Sequence, residues 1–484
     1  MLARVVLCDE GMIDFDALLQ NSPLPDKRLR DRATLLFQSL LRGQSANSIG
    51  LLSPADRTQE SFTRAAYRFF DHDAVTLPAL HAPMQTALSK AVSVEERVYV
   101  AHDVSLLNYS GHERKEDLVP IGNDHTWGYE LYQALAISSD GKPLGAAFTE
   151  LRSSRGLHSS QSAELLPFTD HLEQAERAVD AVEKSLPNRS IVHLCDREFD
   201  DLQLLRHLGE REYVIRCQHL SRLVRVHGAE QSLRDHVERV KLSPAGEVVR
   251  RDEHSTQKYR LHVGEATVTM HGASQRGVAR KRNRPQKGRA IRVRIVISEL
   301  RKEGQKSLRW VLLTNLKESA LSVVEKYLLR WKIERLFYFS KVGFRLECWH
   351  QESAERVARR LLLVQLAAMA VYQLRDATDD KSINLMHTLA HLGGWSGRPK
   401  APIGPTMLMR GALLFIASLQ LIQLYSKKEL LAMARSLEPI LGPILRRRGR
   451  CDHPKGSSLP SGRIRALSPC NLKCSIKTNR VTVS

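Results

Sequence analysis

The sequence has no Cys-x-x-Cys pair, and its seven cysteines lie scattered along 484 residues. A disulfide framework is therefore excluded, and reduced thiols are expected. Cys470 and Cys474, with His453, have the wrong spacing for a standard zinc site. No apolar run is long enough to cross a bilayer: the best, Gly411 to Tyr425, is short and contains Gln420 and Gln423. Asp9 and Glu10 interrupt the start before any apolar stretch of signal-peptide length. No membrane association is expected, and the expected location is cytoplasmic. No long-period repeat is present. Acidic residues are also scarce, 53 against 73 Lys and Arg, which leaves a net charge of +20. Such an excess points to a polyanionic partner, of which nucleic acid is the usual one, or else to a merely basic soluble protein.

What is present suffices for folded domains. Apolar residues make up 42% of the chain. A single core rarely grows beyond about 250–300 residues, so more than one domain is expected. Residues 1–79 read as a small helical unit, either an ordinary helical domain or a helical DNA-binding domain whose basic helices dock on a duplex. Asp26 to Gln44 is a basic amphipathic stretch, and FTRAAYRFFDHD (62–73) is a second helix carrying Arg64, Tyr67 and Arg68, with Pro54, Pro78 and Pro83 as punctuation. Residues 80–235 alternate between strand and helix signals. RVYVAHD (97–103) is a strand ending at Asp103. YELYQALAI (129–137) and KPLGAAFTEL (142–151) form a hairpin about Asp140-Gly141, and 171–186 is an amphipathic helix. SIVHLCD (190–196) ends at Asp196, and EYVIR (212–216) is a further strand. The fold class is α/β.

The pattern changes from residue 218, and an inserted β subdomain is assigned to 236–300, with the basic loop RKRNRPQKGR at 280–289. The core resumes over 301–375 with the strand LRWVLLT (308–314) and a long helix from Leu321 to Phe344. Residues 376–426 read as a helical C-terminal region. Residues 427–484 form a basic tail expected to be disordered, with 13 Lys and Arg against 3 acidic residues.

Aspartates closing neighbouring strands can bring two carboxylates to one sheet edge, where α/β sites gather. On the long helix, Tyr327, Arg330, Glu334 and Lys341 fall within about a 60° arc, and Leu328, Leu329, Ile333, Leu336 and Phe339 lie opposite. One face therefore packs on a core, and the other presents a carboxylate flanked by an aromatic ring and two cations. Three carboxylates are hard ligands suited to Mg²⁺ or Mn²⁺, and two such ions serve phosphodiester chemistry.

The run YLLRWKIERLFYFSK (327–341), spaced Y-x2-R-x3-E-x6-K, resembles the YREK signature of bacterial insertion-sequence DDE transposases, and the chain is most similar to the transposon-five transposase group. HLCDREFDD (193–201) and VAHDVSLLNY (100–109) resemble that group's two aspartate motifs. AAYRFFDHDAVT (65–76) resembles its N-terminal DNA-binding segment, and LAHLGGWSGRPK (389–400) its C-terminal region. The resemblance runs collinearly over roughly residues 20–410.

The resemblance implies an RNase H-like catalytic core with a β insertion before the glutamate helix. Asp103, Asp196 and Glu334 would be the catalytic, metal-binding triad for Mg²⁺ or Mn²⁺, with two ions. Tyr327, Arg330 and Lys341 would contact DNA phosphates, Arg216 would contact transposon-end DNA, and Trp310 would stack on a flipped base. The implied function is cut-and-paste DNA transposition through a hairpin intermediate. The implied partners are double-stranded DNA, as terminal inverted repeats and target, and a second subunit in a synaptic homodimer. Two features depart from the pattern: Tyr338 stands where relatives can carry a second lysine, and the tail beyond residue 426 has no counterpart. The alternatives kept open are a decayed or regulatory relative that binds DNA without catalysis, and an RNase H-like nuclease without strand transfer.

Overall fold

The computed structural model describes residues 13–41, 57–122, 125–251, 256–270, 289–305, 307–397, 402–434, 436 and 473–477. Most of the basic loop at 280–289, and Cys470 and His453 of the tail, lie outside the described residues. Within the tail, residues 427–434 are helical and 473–477 form a strand.

Among the described residues four helices come first: α1 (Phe15–Gln20), α2 (Lys27–Leu41), α3 (Arg57–Asp71) and α4 (Leu77–Val92). Asp14 caps α1, its carboxylate accepting from the Ala17 amide at 3.0 Å. Of the prolines expected to punctuate this region, Pro54 lies outside the described residues, and Pro78 and Pro83 lie within α4. Thr76 caps that helix, Pro78 sits in its first turn and Pro83 in its interior. A first-turn proline loses no intrahelical bond, and burial of Leu80, Met84, Ala87 and Leu88 holds the rest of the helix in place. The boundary expected at 79/80 therefore falls inside a continuous helix.

One sheet organises the remainder. Its strands are β1 (Arg97–Asn108), β2 (Val119–Pro120), β3 (Trp127–Ile137), β4 (Pro143–Ser153), β5 (Gly156–Ser159), β6 (Ser190–Cys195), β7 (Glu212–Arg216), β8 (Leu223–Val226), β9 (Ala229–Ser232), β10 (Ser243–Arg251), β11 (Thr256–Met270), β12 (Ile291–Arg301), β13 (Leu308–Thr314) and β14 (Lys473–Lys477). The order is β14-β10-β11-β12-β13-β7-β6-β1-β3-β4-β5. β1, β6 and β7 run parallel, while β3 and β4 on one side and β13 and β12 on the other are antiparallel. The inserted β segment is thus not a separate layer, because β10, β11 and β12 extend the core sheet through β13. The boundary expected at 235/236 falls inside the helix α7 (Leu233–Arg239), which follows α5 (His171–Ser185) and α6 (Leu202–Leu208).

The long helix expected over 321–344 is two helices, α8 (Ala320–Leu328) and α9 (Trp331–Val342). Between them the amides of Leu329, Arg330, Lys332 and Ile333 each bond the carbonyl three residues back, at 2.9–3.1 Å. Arg330 sits in this tight turn and is buried. Among the described residues α10 (Ala354–Arg375), α11 (Asp380–Leu392) and α12 (Pro405–Leu424) follow, before the helical residues 427–434.

α10 and α12 are each long and apolar enough to cross a membrane, but α10 is almost wholly covered by protein. The apolar run read from Gly411 belongs to a 20-residue helix that begins at Pro405 and contains Arg410. α11 and α12 cross at two glycines. A Cβ on Gly411 would lie 1.8 Å from the Leu389 carbonyl oxygen, and one on Gly393 would lie 2.0 Å from that of Met407. Gly411→Ala should therefore separate the hairpin and cost about 1–3 kcal/mol, as overpacking does. Thermal unfolding of the variant checks this, and an unchanged midpoint would refute the close crossing.

The central strands of the sheet pack on two cores. One face carries Val98, Val100, Cys195, Ile215 and Val311 against α5 and α6. The other carries Tyr99, Ala101, Val192, Leu194, Val214 and Leu312 against α8, α9 and α10. This second core continues without a break into the N-terminal helices through Phe15, Phe37, Phe69 and Phe70. Arg359 of α10 donates to the Phe70 carbonyl at 2.6 Å, and Arg356 pairs with Asp71, so α10 grips the C-terminal end of α3.

Candidate active site

The parallel register of β1 and β6 pairs His102 with Cys195, which makes Asp103 and Asp196 the next neighbours. Asp103 does not end its strand as expected. β1 outlasts β6 and continues along β3 to Asn108, so Asp103 marks the end of the parallel pairing only. Strand alternation puts Asp103 on the face of Tyr99 and Ala101, and Asp196 on that of Val192 and Leu194. By the same alternation Arg216 follows Val214 on β7, and Trp310 precedes Leu312 on β13. Four sequence-predicted residues therefore share one face of the sheet, beneath α8 and α9.

The two helices complete the group. Arg330 donates to Asp103 Oδ2 at 3.0 Å and to Glu334 Oε1 at 2.5 Å, and its Nη2 lies 3.8 Å from Asp196 Oδ2. The Tyr327 hydroxyl donates to Asp196 Oδ1 at 3.2 Å, and Arg216 Nη1 stands 3.9 Å from the same oxygen. Trp310 meets the Tyr327 ring edge-on at 6.1 Å, and the Arg216 guanidinium lies 5.6 Å from the Trp310 ring centroid. Asp103, Asp196 and Glu334 thus converge on one guanidinium.

Lys341 is not brought among them. It donates to the Leu106 carbonyl at 2.6 Å and pairs with Glu347 at 3.3 Å, which ties the end of α9 to β1. Tyr327 and Arg330 of the polar helix face are buried against the sheet. Tyr338 is exposed, so nothing replaces the second lysine at that position.

Burial pushes the Asp103 carboxyl up to about 7; Arg330 opposes this, and Glu334 and Asp196 add to it. The three carboxylates are hard oxygen donors of the type that Mg²⁺ and Mn²⁺ take, already gathered around positive charge. Among the described residues no group of three or more His, Cys, Asp or Glu is close enough as placed to hold a metal ion. The Arg330 guanidinium takes the central position.

Two supports were not foreseen from the sequence. Behind the site, on the opposite face, the Tyr132 hydroxyl bonds His102 Nδ1 at 3.0 Å. His102 Nε2 bonds His193 Nδ1 at 2.9 Å, and His193 Nε2 meets Glu183 Oε1 at 3.1 Å. Burial holds both imidazoles below their usual range. With both rings neutral the bonds run in one direction, from the tyrosine hydroxyl to the carboxylate, and they stitch β1 to β6 one residue from Asp103. Asp200 is the second support. Its Oδ2 accepts from the Gln218 and His219 amides at 2.7 and 2.9 Å, and Oδ1 pairs with the buried Arg222 at 2.9 Å. The turn after Asp196 is thereby fixed to the segment after Arg216. Asp200 stands in the same HLCDREFDD run as Asp196, so its acidity was the available signal.

At the N-terminus, Arg64, Tyr67 and Arg68 form an exposed stripe on α3, and Arg28 is exposed on α2. Residues 15–75 match a family model described as transposase DNA-binding, and residues 169–370 match one described as the transposase DDE domain. The second match takes in Asp196 and Glu334 and begins after Asp103, which β1 carries to the same place. No curated protein matches the chain. Among solved structures, a cryo-EM structure of a piggyBac transposase synaptic complex with hairpin DNA is similar at 11% identity. Its TM-score is 0.36, over 93% of this chain and 79% of that one. With a transposase DNA-binding segment and a transposase DDE domain in one polypeptide, the chain is a DDE-type DNA transposase, an enzyme that binds and cleaves DNA.

Proposed function

We propose that Asp103, Asp196 and Glu334 are the catalytic triad and hold two divalent ions, Mg²⁺ or Mn²⁺. The observation that carries this reading is their convergence on Arg330, at 3.0, 3.8 and 2.5 Å. Ions bound there would supply an activated water and stabilise the attacking and leaving oxygens of an in-line displacement. The chain's own residues do the rest. The Tyr327 hydroxyl orients Asp196. Arg216 and Trp310 stand at the rim, where a strand's phosphate and an unstacked base would lie. Tyr327, Arg330 and Lys341 complete a signature of the bacterial insertion-sequence YREK type, in the transposon-five transposase group. The reaction is cut-and-paste: nicking at the element's end, hairpin formation and reopening, then attack of the 3′-hydroxyl on target DNA.

An RNase H-like core is supported by the β4-β3-β1-β6-β7 order, antiparallel and then parallel. The domain scheme keeps the N-terminal helices as the end-binding part and 376–426 as the subunit-pairing part of a synaptic homodimer. Terminal inverted repeats and target DNA are the substrates, in the bacterial cytoplasm and at the nucleoid. Incubation of purified protein with duplexes carrying the element's ends, Mg²⁺ or Mn²⁺ and a supercoiled target tests the reading. Cleavage and joined products are expected. End binding without cleavage would instead support a non-catalytic relative, and nicks without joining a simple nuclease.

Arg216 is partly exposed beside this centre. Arg216→Ala is expected to weaken end binding and to flatten the dependence of log K on log salt by about 0.9, the share of one phosphate contact. An unchanged slope would remove Arg216 from the phosphate contacts.

A further inference from the structure

We infer that Arg330 is the resident counter-ion of the carboxylate site, and that a divalent cation binds there only by displacing its guanidinium. The inference rests on the reading of Asp103, Asp196 and Glu334 as metal ligands.

The argument begins with shared lone pairs. Arg330 is bonded to Asp103 Oδ2 at 3.0 Å and to Glu334 Oε1 at 2.5 Å, with Asp196 Oδ2 at 3.8 Å. Carboxylate oxygens bind Mg²⁺ or Ca²⁺-sized ions at about 2.0–2.6 Å. An ion reaching the three carboxylates would therefore occupy the space that the guanidinium fills and use the same oxygens. Charge leads to the same conclusion. Three carboxylates face two arginines, Arg330 and Arg216. A divalent ion added without movement of Arg330 would place like charges in contact in a partly buried site.

The guanidinium is also incompletely held. Its side chain is 3% exposed, yet Nε has no hydrogen-bond partner among the described residues. A fork with five donors is here using only its two terminal nitrogens. The Tyr327 and Trp331 rings flank it at 5.9 and 5.5 Å, offering aromatic faces along which a planar cation can shift. Arg330 thus makes the site neutral enough to stay folded and, by the same contacts, sets a low affinity for metal.

The test is direct Mn²⁺ binding by the full chain without DNA, read by electron paramagnetic resonance of free Mn²⁺, together with thermal melting with and without Mn²⁺. Arg330→Gln is expected to bind Mn²⁺ at least ten-fold more tightly than wild type. Its melting temperature should rise more on adding Mn²⁺, because a ligand stabilises in proportion to its affinity. Arg330→Lys keeps the charge but cannot fork between two carboxylates, and should tighten binding by a smaller factor, about three-fold. Asp103→Asn should weaken binding. If Asp103→Asn weakens binding while both Arg330 variants bind no tighter than wild type, the counter-ion role is overturned and the ligand reading stands. If Asp103→Asn leaves binding unchanged, the ligand reading fails, and the inference fails with it. If Arg330→Gln does not fold in metal-free buffer, Arg330→Lys carries the test: affinity equal to or weaker than wild type overturns the inference.

Discussion

Glu334→Gln is expected to abolish DNA cleavage while leaving binding to the element's end DNA nearly intact. The substitution keeps the size of the side chain and removes its charge. Glu334 lies in the first turn of α9 with its carboxylate partly exposed, so no core packing is lost. Binding is served by residues elsewhere, including the matched segment 15–75. A partner that only orients a metal ligand is worth about 10–100-fold in affinity or activity. Loss of a ligand's own charge should therefore exceed about a hundred-fold in cleavage. Gel-shift binding and single-turnover cleavage on the same duplex give the two numbers. Equal loss of both would make Glu334 a structural residue.

The second large effect is expected at a residue that does no chemistry. Asp200→Ala should lower the stability of the chain by about 3–5 kcal/mol, because it strands a buried arginine without its counter-charge. Arg222 and Asp200 are both buried. Arg222 also donates to the Asp200 carbonyl at 3.2 Å, and the Asp200 carboxylate satisfies two backbone amides. Equilibrium urea unfolding measures the loss. A value below about 1 kcal/mol, the range of an exposed ion pair, would refute it. Pairing Asp200→Ala with Arg222→Met should recover part of the loss, since the uncompensated charge then disappears. Cleavage should fall as well, because the turn carrying Asp196 loses its anchor.

The strands carrying the site were legible in the sequence because their apolar runs are long and bounded by turn residues. β3, β4, β6, β7 and β13 lie where alternation and the Asp140-Gly141 turn placed them. The side-chain cluster was legible in part. Helical spacing put Tyr327, Arg330 and Glu334 on one side, but it treated 321–344 as one straight helix. The tight turn at Leu329–Arg330, where Arg330 is buried, leaves no mark in hydropathy. Lys341 fitted the same arc, yet spacing along a helix says nothing of how far the sheet extends beneath it. β1 reaches Asn108, so Lys341 meets a backbone carbonyl rather than the carboxylates. α4 was missed because Pro78 and Pro83 were read as breaks, although one is in the first turn and the other is carried by tertiary packing. The histidine chain and the Asp200–Arg222 pair depend on residues from separate strands and loops, so pairing had to be seen before they could be found.

The unbroken packing between the N-terminal helices and α10 bears on how such an enzyme could be retargeted. Grafting residues 13–71 onto another scaffold would strip Phe15, Phe37, Phe69 and Phe70 of their cover and leave the Phe70 carbonyl without Arg359. A chimera intended to recognise a new DNA end would need the matching surface of α10 as well, and α10 directly follows the segment that holds Glu334. If the N-terminal helices bind the element's ends as proposed, end recognition and catalysis would be inherited as a unit, and a change of specificity would call for substitution on the exposed stripe of α3 rather than exchange of the module.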